Sequence, residues 1–363
     1  MSSVSIVLPV YNAEPFLDSC MQRLVSQDFA DFELIAINDG STDGSLSLLH
    51  TWRDRDPRIQ VRDQENRGSG ITRNVGLDAA TGSHVVFLDP DDVYHRSYLS
   101  QLHAAACKAD ADVTVCASTL SDHQSGAVTR EDWTLRQELV PNAPAFSGRD
   151  IADDLFRLTI GWPWDKMFKR SFLDAHGLRY PDLRNSEDGV FVYPALCLAE
   201  RIAVVGTPLV QHVMNREGSL SNSRKDFALC FFDALRAVRD KLKACGVYEV
   251  FEKGFLGWVL DFSLWNLETA HLDDQQRIYD FLKTEGFAEM GVFSKPCDYY
   301  AVAYDYRRAE ALMTYHFPEC LIIARLEEQL RVLEHSKAYR LALALARPRR
   351  ALADRRRQAT PMD

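Results

Sequence analysis

The chain has 363 residues, more than one hydrophobic core usually organises, so two domains or one domain with a large extension are expected. Its 46% hydrophobic and 26% charged residues exclude a disordered or fibrous protein. A net charge of −10 argues against a general nucleic-acid binder, and no apolar run is long enough to span a bilayer.

VSIVLPV (4–10) is apolar throughout, as a parallel strand covered on both faces should be. A helix is expected over 14–26, with Phe16, Leu17, Cys20, Met21 and Leu24 on one face. FELIAIN (32–38) is the second strand, ended by Asp39-Gly40, and 41–52 reads as a helix with Ser41, Thr42 and Asp43 offering N-caps. IQVRD is a shorter strand, NRGSG a loop, 71–80 a helix closed by Thr81-Gly82, and HVVFLD (84–89) the next strand. This alternation predicts an α/β fold with a doubly wound, mostly parallel sheet, helices on both faces, and ligands at the carboxyl ends of the strands. Beyond about 117 the pattern loosens: 121–150 is loop-rich, 151–215 holds a helix, a Trp-rich turn, an acidic pair and two short strands, and 224–346 is mostly helical. The eight cysteines form no CxxC pair and no Cys/His metal spacing, which fits buried reduced thiols in a cytosolic protein. Met1 to Val4 leads straight into a strand, leaving no room for a secretory signal.

FLDPDDVY crowds Asp89, Asp91 and Asp92 into four positions just past a buried strand. Asp-x-Asp there can hold a hard cation such as Mn²⁺ or Mg²⁺ through oxygen while leaving sites for substrate phosphates. The competing reading is a turn, with Asp91 or Asp92 capping a helix. Asp39, at the end of an earlier strand, can accept from a base N–H or ribose hydroxyl, or simply terminate the strand. NRGSGITRNVG (66–76) lacks the spacing of a dinucleotide-binding loop and has no Walker lysine; Arg67 and Arg73 could pair with phosphate or order the loop.

PVYN (9–12), NDGSTD (38–43), RGSGITRNVGL (67–77) and FLDPDD (87–92) together resemble, in order and spacing, the family 2 glycosyltransferases of GT-A fold. WPWDKMFKR (162–170) is similar to the family's Trp-Asn-Lys segment and NSEDGVF (185–191) to its Glu-Asp segment. The resemblance covers roughly residues 3–220. It implies an inverting, metal-dependent transfer of a sugar from a nucleoside diphosphate donor, most often a UDP-sugar, to a saccharide or lipid-linked acceptor in surface polysaccharide biosynthesis. Carried over, Pro9, Tyr11, Glu14, Asp39, Arg73, Asp89 and Arg216 would serve the donor, Asp91 with Asp89 the Mn²⁺ or Mg²⁺, and Asp92 would give local support. Asp188 would be the general base, with Glu187 its support or alternative; the competing reading is that both cap the following helix. Trp162, Trp164 and Lys166 would face the acceptor, although buried core tryptophans are an equal alternative. Asp165 stands where the family usually has Asn, and could alter acceptor contacts or pair with Lys166 or Lys169. His212 reads as an extra metal ligand or a structural hydrogen-bonding His.

The expected organisation is a catalytic domain over 1–220 (nucleotide-sugar half to about 117, acceptor half after it), a helical region over 221–334, and an amphipathic helix with basic tail over 335–363. That tail resembles the Tyr-Arg-Leu-Ala segment of bacterial polysaccharide glycosyltransferases, and its arginines suit peripheral contact with anionic lipid at the inner face of the cytoplasmic membrane. Packing on its own domain or on a partner is the alternative. Two other functions remain in play: a nucleotidyltransferase, against which PVYNAEPF has no glycine-rich loop, and a non-catalytic nucleotide-sugar-binding protein.

Overall fold

The computed structural model describes residues 2–214 and 227–335, so Arg216 and the 336–363 tail lie outside the described residues. In chain order the first half runs β1 (Val4–Val10), α1 (Glu14–Val25), β2 (Phe32–Asp39), α2 (Ser45–Arg55), β3 (Ile59–Gln64), α3 (Ser69–Ala79), β4 (His84–Phe87), β5 (Val93–Tyr94), α4 (Tyr98–Ala109), β6 (Val113–Asp122) and β7 (Val128–Thr129). Then come α5 (Leu155–Leu158), β8 (Lys166–Lys169), α6 (Arg170–Ala175), α7 (Glu187–Leu198) and β9 (Ile202–Met214). The remainder is helical: α8 (Cys230–Ala244), α9 (Tyr248–Thr269), α10 (Leu272–Phe281), α11 (Phe287–Met290), α12 (Ala303–Thr314) and α13 (Glu319–His335).

The strands form one sheet in the order β3-β2-β1-β4-β8-β6-β9-β5, with β7 on β6. β3, β2, β1 and β4 are mutually parallel, as the βαβ rhythm predicts. The sheet as a whole is mixed, because β8 inserts antiparallel between β4 and β6. β9 is one long strand rather than the short pieces the sequence suggested. Gly206 and Pro208 interrupt its apolar pattern, and its pairing with β6 shifts register around Ala117, where Pro208 needs no ladder partner for a missing N–H.

Side-chain alternation divides the core between the two faces. Ile6, Leu8, Leu34, Ala36 and Val86 pack toward α1, α2 and α4 on one side. Val7, Ile35, Ile37, Val85 and Phe87 point to the other, into a core continuous with α7, α8, α9 and α12. The helical region is therefore fastened to the sheet through shared apolar contacts. Among the described residues no helix is long and apolar enough to cross a membrane. The eight cysteines are unpaired; Cys20, Cys116, Cys197 and Cys320 are buried, whereas Cys107 is exposed.

Candidate active site

The carboxyl ends of β1, β2 and β4 carry the loops the sequence singled out, and these loops hold one another. Asn12, in left-handed backbone at φ 47°, accepts from the Thr42 N–H at 2.8 Å, while Ser41 Oγ accepts from the Asn12 N–H at 3.0 Å. Glu14 accepts from the Gly44 N–H at 2.8 Å, and Asp43 accepts from the N–H groups of Glu14 and Ser45, both at 3.0 Å. The helix expected from 41 thus starts at Ser45, because Ser41, Thr42 and Asp43 are spent on lacing the two loops together. Glu14 takes part in that lacing through one carboxylate oxygen and stays exposed. Gly40 has φ 72°, and a Cβ there would lie 2.7 Å from the Asn66 nitrogen, so the turn after Asp39 needs glycine.

Asp39 is 3% exposed. Its Oδ1 accepts from Gln64 Nε2 at 2.7 Å and the Arg67 N–H at 2.9 Å, and its Oδ2 from the Gly68 N–H at 2.9 Å. Its carboxylate anchors the 64–68 loop and is not an open acceptor at a strand end. Pro9 is buried within β1 beside Ile37, and Tyr11 is 53% exposed beyond it.

Arg73 occupies the centre of the site. It is 3% exposed, with Nη2 2.6 Å from Asp89 Oδ1, Nη1 2.7 Å from Asp188 Oδ1, and Glu187 Oε1 at 3.6 Å. Its guanidinium lies 5.4 Å from the centre of the Tyr180 ring, which stacks in turn on Phe191. Arg73 was expected to serve a donor phosphate; here the carboxylates claim it first, since a buried cation ringed by three anions gains most from them. Burial opposes its charge, but Asp188 and Asp89 outweigh that effect and raise its pKa further. α3 is latched to the segment before α7 by Asn74, whose side chain exchanges two 2.9 Å hydrogen bonds with the Tyr180 backbone.

Glu187 and Asp188 begin α7, after Ser186 in left-handed backbone at φ 66°. Both stand in the first turn of α7, and the Ser186 side chain makes no capping hydrogen bond. Glu187 is buried, accepts from Ser69 Oγ, and lies so near α3 that a Cβ on Gly70 would sit 3.0 Å from its Cγ. Burial, the largest cause, pushes the Asp188 carboxyl above the usual carboxylate range; Arg73 opposes this, while Glu187 and Asp89 add to it.

The DPDD segment is both a turn and a carboxylate cluster. The Asp92 N–H reaches the Asp89 carbonyl at 3.4 Å, and Tyr94 OH pins Asp89 by accepting from its N–H at 2.8 Å. Asp92 caps no helix. It is buried against His212 Nδ1 at 2.8 Å and the Val213 N–H at 3.2 Å, tying the turn to β9. Burial raises the Asp92 carboxyl, against the pull of His212. The imidazole is also shifted upward, because Asp92 outweighs its burial. His212 is thus a structural partner of Asp92. Asp89 and Asp91 stay half-buried at the end of β4, two hard oxygen donors two residues apart. Among the described residues no three His, Cys, Asp or Glu gather as a metal site. An Mg²⁺-like ion takes one or two carboxylates and completes its shell with phosphates and water, so the pair Asp89 and Asp91 is of the right chemical type to hold one.

The Trp-rich turn differs from expectation. Trp164 is 1% exposed and stacks at 4.9 Å on both Trp162 and His212, so it offers no free face to a sugar. Lys166 is fully buried, donating to Asp165 at 2.6 Å and to the carbonyls of Ile160 and Trp162 at 2.9 and 2.8 Å. It closes the 160–166 loop from inside instead of meeting an acceptor. Asp165 is its counter-ion, and leaving either charge alone at that depth costs about 3–5 kcal/mol. Trp162 is the partly exposed member, edge-on to Trp133.

Comparison with known proteins bears on the family and the fold. The family described as Glycosyl transferase family 2 matches residues 5–177. The chain carries a family 2 glycosyltransferase domain. EpsH of Bacillus subtilis is 30% identical over 214 residues, 58% of this chain and 60% of that one. The poly(ribitol-phosphate) beta-glucosyltransferase of Bacillus spizizenii is 27% identical over 68% of this chain and 38% of its own. The crystal structure of Staphylococcus aureus TarS 1–349 with UDP-GlcNAc superposes with a TM-score of 0.68 at 21% identity, covering 91% of each chain, which establishes a GT-A fold followed by a helical region. The chain spans about 60% or less of the length of these two curated relatives.

Proposed function

We propose that this protein is an inverting glycosyltransferase that moves a sugar from a UDP-sugar to a hydroxyl of a saccharide or lipid-linked acceptor in surface polysaccharide biosynthesis. The observation that carries the reading is the single guanidinium that gathers Asp188 of α7 and Asp89 beyond β4 at the carboxyl edge of the sheet. A base and a leaving-group site must lie on opposite sides of one reacting carbon, and these loops meet there. In the displacement, Asp188 takes the acceptor hydroxyl's proton as that oxygen bonds to the anomeric carbon and the bond to the UDP oxygen breaks. Asp91 and Asp89 would hold Mn²⁺ or Mg²⁺, whose Lewis acidity would offset charge on the departing diphosphate. Tyr11, exposed beyond the buried Pro9, frames the nucleoside side, and Trp162 is the aromatic surface left for the acceptor. The UDP-GlcNAc bound by TarS, of like fold, supports a UDP donor. The proposed catalytic domain is 1–220, with the helical region bracing its acceptor half.

A panel of nucleotides and nucleotide sugars with Mn²⁺ tests this. A ligand at about 100 times its Kd adds about 2.7 kcal/mol of stability, so UDP-sugars should raise Tm by a few degrees. Stabilisation by nucleoside triphosphates alone would turn the reading toward a nucleotidyltransferase.

The proposal extends to an anionic lipid surface. Ile322, Leu326, Leu330 and Leu333 form a stripe at helical spacing on α13, each more than half exposed. In sequence it is followed at once by a segment with eight Lys and Arg against two Asp over 336–363, in an otherwise acidic chain. Leu326→Glu with Leu330→Glu should release the protein from phosphatidylserine vesicles in co-sedimentation. Unchanged binding counts against this surface, and dissociation of a dimer instead would assign the stripe to a second copy.

A further inference from the structure

Arg73 holds two carboxylates from different parts of the fold on different nitrogens of one planar group. Asp89 follows β4 and Asp188 stands on α7, 99 positions apart in the chain. A guanidinium is rigid and its fork fixed, so a shift that improves one contact moves the other. Among the described residues no hydrogen bond to Nε helps to fix the plane, since that nitrogen is buried without a partner. The Tyr180 ring closes one side, and the Asn74–Tyr180 pair keeps α3 from withdrawing. Among the described residues the guanidinium is outnumbered by the carboxylates around it, since Glu187 is the third within 3.6 Å.

We propose that Arg73 is a positioning residue that ties the placement of the Asp188 carboxylate to the occupancy of the Asp89 side of the site. A cation or donor that engages Asp89 competes with Nη2 for its oxygens. The guanidinium's attraction then falls more fully on Asp188 and Glu187, and the base is held hardest when donor is present. By reciprocity, weakening the Asp188 contact strengthens the hold on Asp89 and makes the donor side harder to occupy. The inference rests on the proposed function only for what binds at Asp89; the mechanical link between the two carboxylates does not.

The experiment has two arms. In the first, without donor, thermal unfolding is measured for Asp89→Asn, Asp188→Asn and the double variant, with Arg73 intact and again with Arg73→Lys. The two changes should be non-additive with Arg73 and additive with Lys, which keeps the charge but loses the fork. Additivity in the Arg73 background overturns the proposal, as does equal non-additivity in both. In the second arm, Asp188→Asn should weaken UDP binding in Mn²⁺ by about 3–10-fold with Arg73 present and leave it unchanged with Lys. A merely structural Arg73 would shift all affinities together, and direct repulsion between the charges would persist in the Lys background; either overturns the link. Failure of the parent protein to bind UDP would count against the proposed function, while the first arm still decides the coupling.

Discussion

Asp188→Asn should lower sugar transfer by about 10²–10⁴-fold, the usual worth of a positioned general base, while donor affinity changes by less than about tenfold. Asn keeps the shape and can still meet Arg73 through its amide oxygen, so what is lost is the ability to accept a proton. Single-turnover transfer and UDP calorimetry on the same preparation separate the two effects. The base works only when deprotonated, and burial raises its pKa above the ordinary carboxylate value. Activity of the parent protein should therefore fall on the acid side, through a midpoint above the pKa of about 3.9 of a free Asp, and the residual activity of the variant should lack that limb. Turnover like the parent's would assign the proton to Glu187 or to another group. Glu187 is the weaker choice on geometry, since it is buried and hydrogen-bonded to Ser69.

Much of the site's outline was legible in the sequence, because the parallel half of the sheet is written in local signals. β1, β2 and β4 are apolar runs, and the motifs fall at their carboxyl ends, where strand polarity puts ligands. The antiparallel insertion of β8 was not legible, since β8 is four residues long and pairs with strands some eighty and fifty positions earlier. Neither was the length of β9, broken in pattern by Gly206 and Pro208. The side chains whose partners the sequence did not show share a cause. Glu14, Asp39, Arg73 and Lys166 are charged residues at motif positions, which the sequence presents as available for ligand. Each is engaged by a group distant in the chain or by its own loop's carbonyls, and these partners are set by tertiary packing. For Trp164 the sequence left a sugar platform and a buried core residue equally open, and His212 from β9, stacked on its ring, decides for the second. Tyr180 gave no local signal at all, yet it closes one side of Arg73. For Asp92 the sequence offered a helix cap or local support, and the structure buries it against His212.

Asp91→Ala should remove the advantage that Mn²⁺ gives to UDP binding. Like charges packed this closely repel, and Asp92 escapes by burial against His212 while Asp89 is countered by Arg73. Asp91, half-buried in the same turn and two positions from Asp89, is the proposed cation ligand. At an effective dielectric constant of about 20, unit charges about 4 Å apart interact by about 4 kcal/mol. In the parent protein UDP affinity should consequently be up to about 10³-fold higher in Mn²⁺ than in EDTA. Calorimetry on Asp91→Ala should give the same weak affinity in both buffers, with the fold intact by circular dichroism. Asp92→Asn is the matched control: it changes the same turn, but at a carboxylate turned toward β9, so most of the Mn²⁺ effect should survive. UDP binding indifferent to metal in the parent protein, or a larger loss from Asp92→Asn than from Asp91→Ala, would falsify the assignment of the cation to the Asp89–Asp91 pair.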